Sequence, residues 1–326
     1  MKTVSAARVL SAVMLLTLAV AGTAAAQQAY PNKPIRMISP YTPGGIVSTM
    51  ARLVGQKLTE SWGQQVIVDN RPGGNTTIGA SALAKSPPDG HTLMTTAMDH
   101  VIVANLVSTP YDPIKDFAPV ATVASSEYVL VVHPSLPASS LRELIALAKS
   151  RPGQLNYATS GSGTGNHIAT EFFSMLAGIR MQQIPYKGTG PAMTDLIGGQ
   201  VEVMLSSPGN VTPHIRSGRL KAIGYASETR SPVLPEVPTF SEGGLSGFEM
   251  KTWYGILAPA ATPKEIINKL ATEIATILST ADIREQLTRQ GVAPFLSTPE
   301  QFAALMKADM AKFAKVIKTA NIKIEN

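Results

Sequence analysis

The sequence predicts an α/β protein of two lobes joined by hinge strands, with a cleft between them. Three observations carry this. Apolar strand-like runs alternate with helical patterns along most of the chain, the mark of largely parallel sheets covered by helices. The alternation starts afresh near residue 130. Two apolar runs, EYVLVVHPS (127–135) and TWYGILAP (252–259), are placed to pass between lobes, and two crossings make a hinged cleft. The boundaries that follow are 27–129 for the first part of lobe one, 130–250 for lobe two and 251–326 for the completion of lobe one.

Taken in order, PIRMIS (34–39) reads as a strand and PYTPGG (40–45) breaks it. Val47, Ala51, Val54 and Leu58 then recur at the spacing of a helix with one buried face. QQVIVDN (64–70) is a strand, RPGG (71–74) a turn, IGASALAKS (78–86) a helix and TLMTTA (92–97) a strand. SLRELIALAKS (140–150) opens with Ser140 three residues before Glu143, a capping-box spacing. QLNYAT (154–159) is a strand and HIATEFFSMLAG (167–178) a helix, with Ile168, Phe172 and Leu176 on one stripe and Gly178 as its C-cap. MQQIPY (181–186), TDLIGGQVEVML (194–205) and LKAIGYA (220–226) continue the alternation. SPVLPEVPTFSEGGLSGF (231–248) is rich in Pro, Gly and Ser and reads as a long surface connection. Residues 263–279 and 299–320 are strong helices.

Composition narrows the function. Hydrophobic residues make up 44% of the 326 and charged residues 15%, ample material for a folded core. The net charge of +6 is scattered, with no basic run interleaved with aromatics, so nucleic acid is excluded as a partner. A small anionic ligand fits better, since a positive field speeds its arrival. Lys2 and Arg8, the apolar run 9–22 and Ala24–Ala26 read as a cleavable export signal over residues 1–26. An uncleaved anchor is the alternative, for which the apolar run is short. The chain has no cysteine, which excludes a lipoprotein anchor, disulfides and thiolate chemistry. The expected compartment is the periplasm.

The stretch ATSGSGTGNH (158–167) looks built to hold something. A phosphate loop needs Lys where Asn166 stands, and a dinucleotide fingerprint needs a glycine there. A nucleophile elbow around Ser162 needs glycines where Ser160 and Thr164 stand. The five histidines are dispersed, so no zinc site is expected, and no paired carboxylates stand out. No cofactor is expected. What remains is a strand ending in a Gly/Ser/Thr loop that opens a helix, which presents backbone N–H groups and a positive dipole end to an anion. PYTPGG is the same device in the first lobe. Read alone, either loop is as well explained by a tight turn. Two in matching positions, without a catalytic signature, point to binding.

The chain resembles the Bug receptors, the periplasmic solute-binding proteins of tripartite tricarboxylate transporters. The likeness rests on YPNKPIRMISPYTPGG (30–45), VDNRPGG (68–74), SPPDGHTLM (86–94), YDPIKDFAPVA (111–121), LNYATSGSGTGNH (155–167), IPYKGTGPAMTDLIGGQVEVM (184–204) and WYGILAPAATP (253–263), in that order. It implies a Venus-flytrap periplasmic binding protein fold, a monomer with no enzymatic activity, capture of a small carboxylate and delivery to membrane permease subunits. A co-receptor for a membrane sensor kinase is the alternative role. The resemblance implies ligand contacts from Tyr41, Thr42, Gly44 and Gly45 in the first lobe. It implies Ser160, Gly161, Ser162, Gly163, Thr164 and His167 in the second, with His100, Tyr186 and Lys187 at further cleft positions.

Two departures bear on the ligand. Relatives often carry Asp where Ser48 and Ser206 stand here. An ammonium entering a closed cleft needs a carboxylate partner, so the two serines, counted as ligand contacts, favour a carboxylate without an amino group. Hydroxyls of Ser162 and Thr164 are expected to donate to it, and Trp253 is placed beside the cleft.

Overall fold

The computed structural model describes residues 30–248, 250–319 and 322. The expected export signal over 1–26 lies outside them. Two sheets organise the rest. The first has the order β11-β4-β10-β3-β1-β2, built from β1 (Ile35–Ser39), β2 (Val66–Asn70), β3 (Thr92–Ala97), β4 (Phe117–Glu127), β10 (Lys251–Pro259) and β11 (Ala293–Pro294). The second has the order β7-β6-β8-β5-β9, from β5 (Val129–Val132), β6 (Asn156–Thr159), β7 (Gln182–Pro185), β8 (Val203–Ser206) and β9 (Lys221–Tyr225).

The two sheets share a plan. β1 lies between its parallel partners β2 and β3, and antiparallel β10 follows β3. Likewise β6 lies between parallel β7 and β8, and antiparallel β5 follows β8. In each lobe the chain leaves the central strand to one side and returns on the other. That reversal opens a crevice at the strands' carboxyl ends, where α/β sheets hold their ligands. Strands buried on both faces supply the cores: Ile35, Met37 and Ile38 in β1 and Val203, Met204 and Leu205 in β8 are sealed from solvent.

The helices follow from their sequence period. In α1 (Ile46–Trp62) Val47, Ala51, Val54 and Leu58 are all buried, and Gly63 ends the helix in the left-handed region at φ 68°. α2 is Thr77–Ala84 and α3 the short Asp99–Val103. α4 (Leu141–Ser150) is capped by Ser140 Oγ, which accepts from Glu143 N at 3.2 Å. In α5 (Gly165–Ala177) the buried stripe runs through Ile168, Ala169, Phe173 and Ala177, while Leu176 is 38% exposed. The expected stripe through Leu176 was rotated, because Ala169 and Phe173 face the second sheet.

α6 (Thr189–Ile197) and β8 divide the run read as one element over 194–205. α7 (Pro208–Arg216), α8 (Lys264–Ser279), α9 (Ala281–Arg289) and α10 (Pro299–Thr319) complete the set. The connection 231–248 is not a surface one throughout. Leu234, Val237, Phe240 and Phe248 are buried, and Phe173 packs edge-on to both phenylalanines.

The first crossing is where the sequence puts it. β4 of one sheet ends at Glu127, β5 of the other starts at Val129, and buried Tyr128 alone joins them. The second expectation is corrected. β10 pairs with β4 from Lys251↔Glu127 to Pro259↔Phe117, so it belongs wholly to the first sheet and the chain returns before it. Trp253 accordingly lies in the first lobe's core, with its indole N–H on Asp309 at 2.7 Å and its ring edge-on to Phe302.

The described residues from Lys33 on form one compact unit, and the two sheets' lobes touch within it. One place where they meet, backbone to backbone, is Gly209 in α7 against Gln290 and Gly291 after α9. A Cβ at Gly209 would lie 1.8 Å from the Gln290 carbonyl oxygen, and one at Gly291 2.1 Å from Gly209 N. Ser126 Oγ donates to Gly291 O at 3.3 Å, which ties this contact to the Tyr128 crossing. Gly209→Ala is therefore expected to lower the urea midpoint by an amount worth roughly 1–3 kcal/mol, the usual cost of overpacking. Gly190→Ala is the control: no atom lies within 4 Å of its Cβ position, and its midpoint should stay level or rise.

Candidate functional site

The two strand–loop–helix units have nearly the same backbone. Between β1 and α1 the loop ends at Gly45 with φ −76° and ψ 161°. Between β6 and α5 it ends at Thr164 with φ −76° and ψ 162°. Neither residue caps its helix with a side chain. Among the described residues, no backbone acceptor takes the amides of Ile46, Val47 and Ser48 in α1 or of Asn166 and His167 in α5. First-turn amides without acceptors, at the positive end of a helix, suit an anion.

Internal bonds set the shape of the second loop. Asn166 Oδ1 accepts from Ser160 N at 3.3 Å and Ser160 Oγ at 3.0 Å. The Thr164 hydroxyl lies 2.6 Å from Gly161 O and 2.7 Å from Asn166 Oδ1, both acceptors. Its one proton stays inside the loop, which corrects the expectation that Thr164 donates to a ligand. His167 Nδ1 accepts from Gly163 N at 3.0 Å, so a neutral ring carries its proton on Nε2. Burial lowers this histidine to about 4. Gly161 at φ 145° and Gly163 at φ 79° supply backbone that other residues rarely adopt. Ser162 is half-buried and makes no hydrogen bond among the described residues.

The remaining expected residues divide. Tyr41 is held by Asn70 Nδ2, which donates to its carbonyl at 2.9 Å, and Thr42 and Gly44 are exposed. A Cβ at Gly188 would lie 3.6 Å from Thr42 Oγ1, so the 186–188 segment faces the first loop. Gly188 N donates to Ser160 O at 3.0 Å and fixes that segment beside the second loop. The Tyr186 hydroxyl turns to Asp195 Oδ2 at 2.7 Å. Lys187 is exposed, with no ion pair among the described residues.

Three expectations need correction. His100 is fully buried inside the first lobe, stacked on Tyr111, edge-on to Phe117, with Nε2 3.0 Å from Pro113 O. Burial lowers it to about 4. It belongs to the core because α3 turns it away from its neighbour Asp99. Ser48 is fully buried behind the first loop, where its Oγ accepts from Asn70 at 2.9 Å. Ser206 is 3% exposed, pairs with Val129 beside the crossing and accepts from Asn210 at 3.3 Å. Ser48 and Ser206 therefore brace the segments that precede and follow them, respectively.

The residue that sequence reasoning missed is Asp99. It follows β3, so it stands at the first lobe's crevice opposite Tyr41, which follows β1. Its Oδ1 accepts from the backbone N–H of Gly165, at the start of α5 in the other lobe, at 2.7 Å. Its Oδ2 accepts from the Tyr41 hydroxyl at 3.2 Å. Burial raises Asp99 to about 6, against the two hydrogen bonds that favour its charged form. Tyr41, Tyr128 and Tyr254 surround it, all held above the usual phenol range chiefly by burial, so they remain donors. A Cβ at Gly165 would crowd its neighbours, at 2.5 Å from Tyr128 Oη and 3.0 Å from Asp99 Oδ1, so a larger residue would push them aside.

A third loop was read only as a turn. Residues 73–76 all have positive φ, including Asn75 at 50° and Thr76 at 78°. Such strain in non-glycine residues collects at functional sites. The buried hydroxyls of Thr76 and of Ser39, at the end of β1, have no partner among the described residues. Asn75 approaches the second lobe: a Cβ at Gly161 would lie 3.9 Å from its Oδ1.

Two α/β lobes that close on paired helix ends at their switch points define a periplasmic-binding-protein fold. The chain belongs to the Tripartite tricarboxylate transporter family receptor family, whose sequence pattern matches residues 50–322. It is 37% identical to Protein BugT of Bordetella pertussis over 321 residues, covering 97% of this chain and 98% of the relative. Among solved structures it is similar to R. palustris Rpa4515 with adipate, at 33% identity and a TM-score of 0.86 over 90% of this chain and 99% of that one. MatC from Rhodopseudomonas palustris with bound malate matches at 31% identity and a TM-score of 0.82, over 88% of this chain and all of its own. The family consists of solute-binding receptors rather than enzymes.

The site's titration has a definite sign. Folded His100 and His167 titrate below the usual 6.5, so the unfolded chain binds more protons and stability is lost as pH falls from about 6.5 to 4. Asp99 titrates above the usual 3.8, so the folded chain binds more protons and stability is gained as pH falls through about 6. Asp99→Asn removes that gain. Between about pH 7 and pH 5 the variant should lose roughly 1 kcal/mol more than the native chain in denaturant melts. Equal losses would mean that Asp99 titrates as an ordinary carboxylate.

Proposed function

We propose that this chain is a periplasmic receptor. It captures a small carboxylate between its lobes and delivers it, as a monomer, to the membrane permease subunits of a tripartite tricarboxylate-type transporter. The residues 1–26 would direct export, and the lobes would follow the boundaries 27–129, 130–250 and 251–326. The observation that carries the reading is the pair of uncapped helix ends, α1 after Gly45 and α5 after Thr164, set at matching crevices of the two lobes. Adipate and malate in the two similar structures support a carboxylate as the occupant.

In this reading the ligand's carboxylate accepts from first-turn amides, with the free Ser162 hydroxyl, Thr42 and the neutral phenols as further donors. Hydrogen bonds to a charged group are worth about 1.5–3 kcal/mol each, so a few of them suffice to bind without a lysine or arginine in the first contact layer. A ligand touching both lobes favours the closed arrangement over an open one, which is the only way it can shift that equilibrium. Lys187, exposed beside the second loop, adds attraction at the rim.

Thermal melts against a panel of mono- and dicarboxylates test the reading. Ligand at ~100 times its dissociation constant should add about 2.7 kcal/mol of stability, and no stabilisation at millimolar concentration by any member would refute it. Gly165→Ala should weaken the best ligand by at least about tenfold, since its methyl group blocks the approach of Tyr128 and Asp99. Circular dichroism should stay native. Unchanged affinity would place the site elsewhere.

A further inference from the structure

The cleft holds a carboxylate of its own, and that limits what can share it. Asp99 is fixed from both sides: Gly165 N–H holds Oδ1 at 2.7 Å and Tyr41 holds Oδ2 at 3.2 Å. Two bonds leave an ionised carboxylate with about two acceptor positions unused. No lysine, arginine or histidine is paired with it among the described residues. Its other close neighbours are the phenols of Tyr128 and Tyr254. Tyr254 Oη lies 3.4 Å from Ser207 Oγ. A half-buried acid with no cation is incompletely compensated. A ligand closed in beside it is either a donor that supplies compensation or a second anion that worsens the deficit.

We propose that Asp99 is a specificity-determining residue that accepts a hydrogen bond from a hydroxyl or ammonium group of the ligand, so that this receptor prefers carboxylates bearing such a donor to plain dicarboxylates. The inference rests on the carboxylate reading above and refines it. The ligand's carboxylate takes the free amides of α1 and the second loop, and its donor faces Asp99. The geometry explains why Asp99 stands after β3. From that strand end it faces the crevice of its own lobe and also reaches the helix end of the other. It reverses the expectation drawn from Ser48 and Ser206, because both hydroxyls already bond within their own lobes, to Asn70 and Asn210, and the acid at the first lobe's crevice was not considered.

Calorimetry on the full mature chain with matched acids is the test. One set is succinate, γ-hydroxybutyrate and γ-aminobutyrate; the other is adipate, ε-hydroxycaproate and ε-aminocaproate. Measurement near pH 8 keeps Asp99 ionised. The native chain should bind at least one donor-bearing acid about tenfold or more tightly than the dicarboxylate of the same length. Asp99→Asn keeps the shape and the acceptor oxygen but removes the charge, and should shrink or invert that ratio while leaving the melt native. A native chain that prefers the dicarboxylate, or a ratio that Asp99→Asn leaves unchanged, overturns the proposal while the carboxylate reading stands. Binding of no acid by either protein overturns both.

Discussion

At the crevice the lobes are joined by a bond from the backbone N–H of Gly165 to the carboxylate of Asp99 at 2.7 Å. The donor is the first residue of α5, so it brings the positive end of that helix with it. The acceptor sits at the carboxyl end of β3, and it is shielded enough to titrate near 6. Neither group has an adequate partner within its own lobe. The amide precedes the helix's own hydrogen bonding, and the acid has only the Tyr41 hydroxyl. Each lobe thus holds one half of a bond that the contact between lobes completes. The bond needs close approach, which is why position 165 is glycine: Tyr128, the residue that joins the sheets, stands where a Cβ would go.

The site is built twice from one plan. β1 with β2 and β3, and β6 with β7 and β8, each leave a crevice beside a central strand, and each central strand leads into a loop and an uncapped helix. Identical N-cap dihedrals follow from a common task, aiming first-turn amides out of the crevice, rather than from similar side chains. PYTPGG and SGSGT have little in common beyond glycine and a hydroxyl. The first loop is held from outside by Asn70, the second from within by Asn166. The same amide side chain serves both, because it can accept and donate at short range without adding charge beside the helix ends.

Much of this was legible in the chain itself. The alternation of strands and helices, the first crossing, both loops and the α1 stripe were there to read because each is a local pattern of apolar residues or turn formers. The misreadings share a cause. A one-residue displacement on α3 exchanged His100 for Asp99, and on a helix one residue is 100° of rotation, enough to turn a cleft group into a core group. Trp253 and Tyr254 were exchanged by the alternation of a strand in the same way. Ser48 looked like a ligand contact from its place in a motif, but Asn70, distant in sequence, holds it from behind. The segment 231–248 looked exposed from its Pro and Gly content, yet its spaced Leu, Val and Phe residues cover the second lobe's core.

The charge pattern separates attraction from recognition. The chain carries a net charge of +6 at pH 7, which raises the local concentration of anions by a field that acts at a distance. At the crevices the balance changes: amides, hydroxyls and neutral phenols gather there, and the acid Asp99 stands among them. Neutral donors bind a carboxylate through direction and distance, so they discriminate by where the oxygens lie. A lysine would accept an anion in many poses. The acid adds the opposite requirement a few ångströms away. Under the proposed reading, a ligand that satisfies both would present an acceptor to the helix ends of the two lobes and a donor to the acid of the first, so its polarity as well as its length would be read.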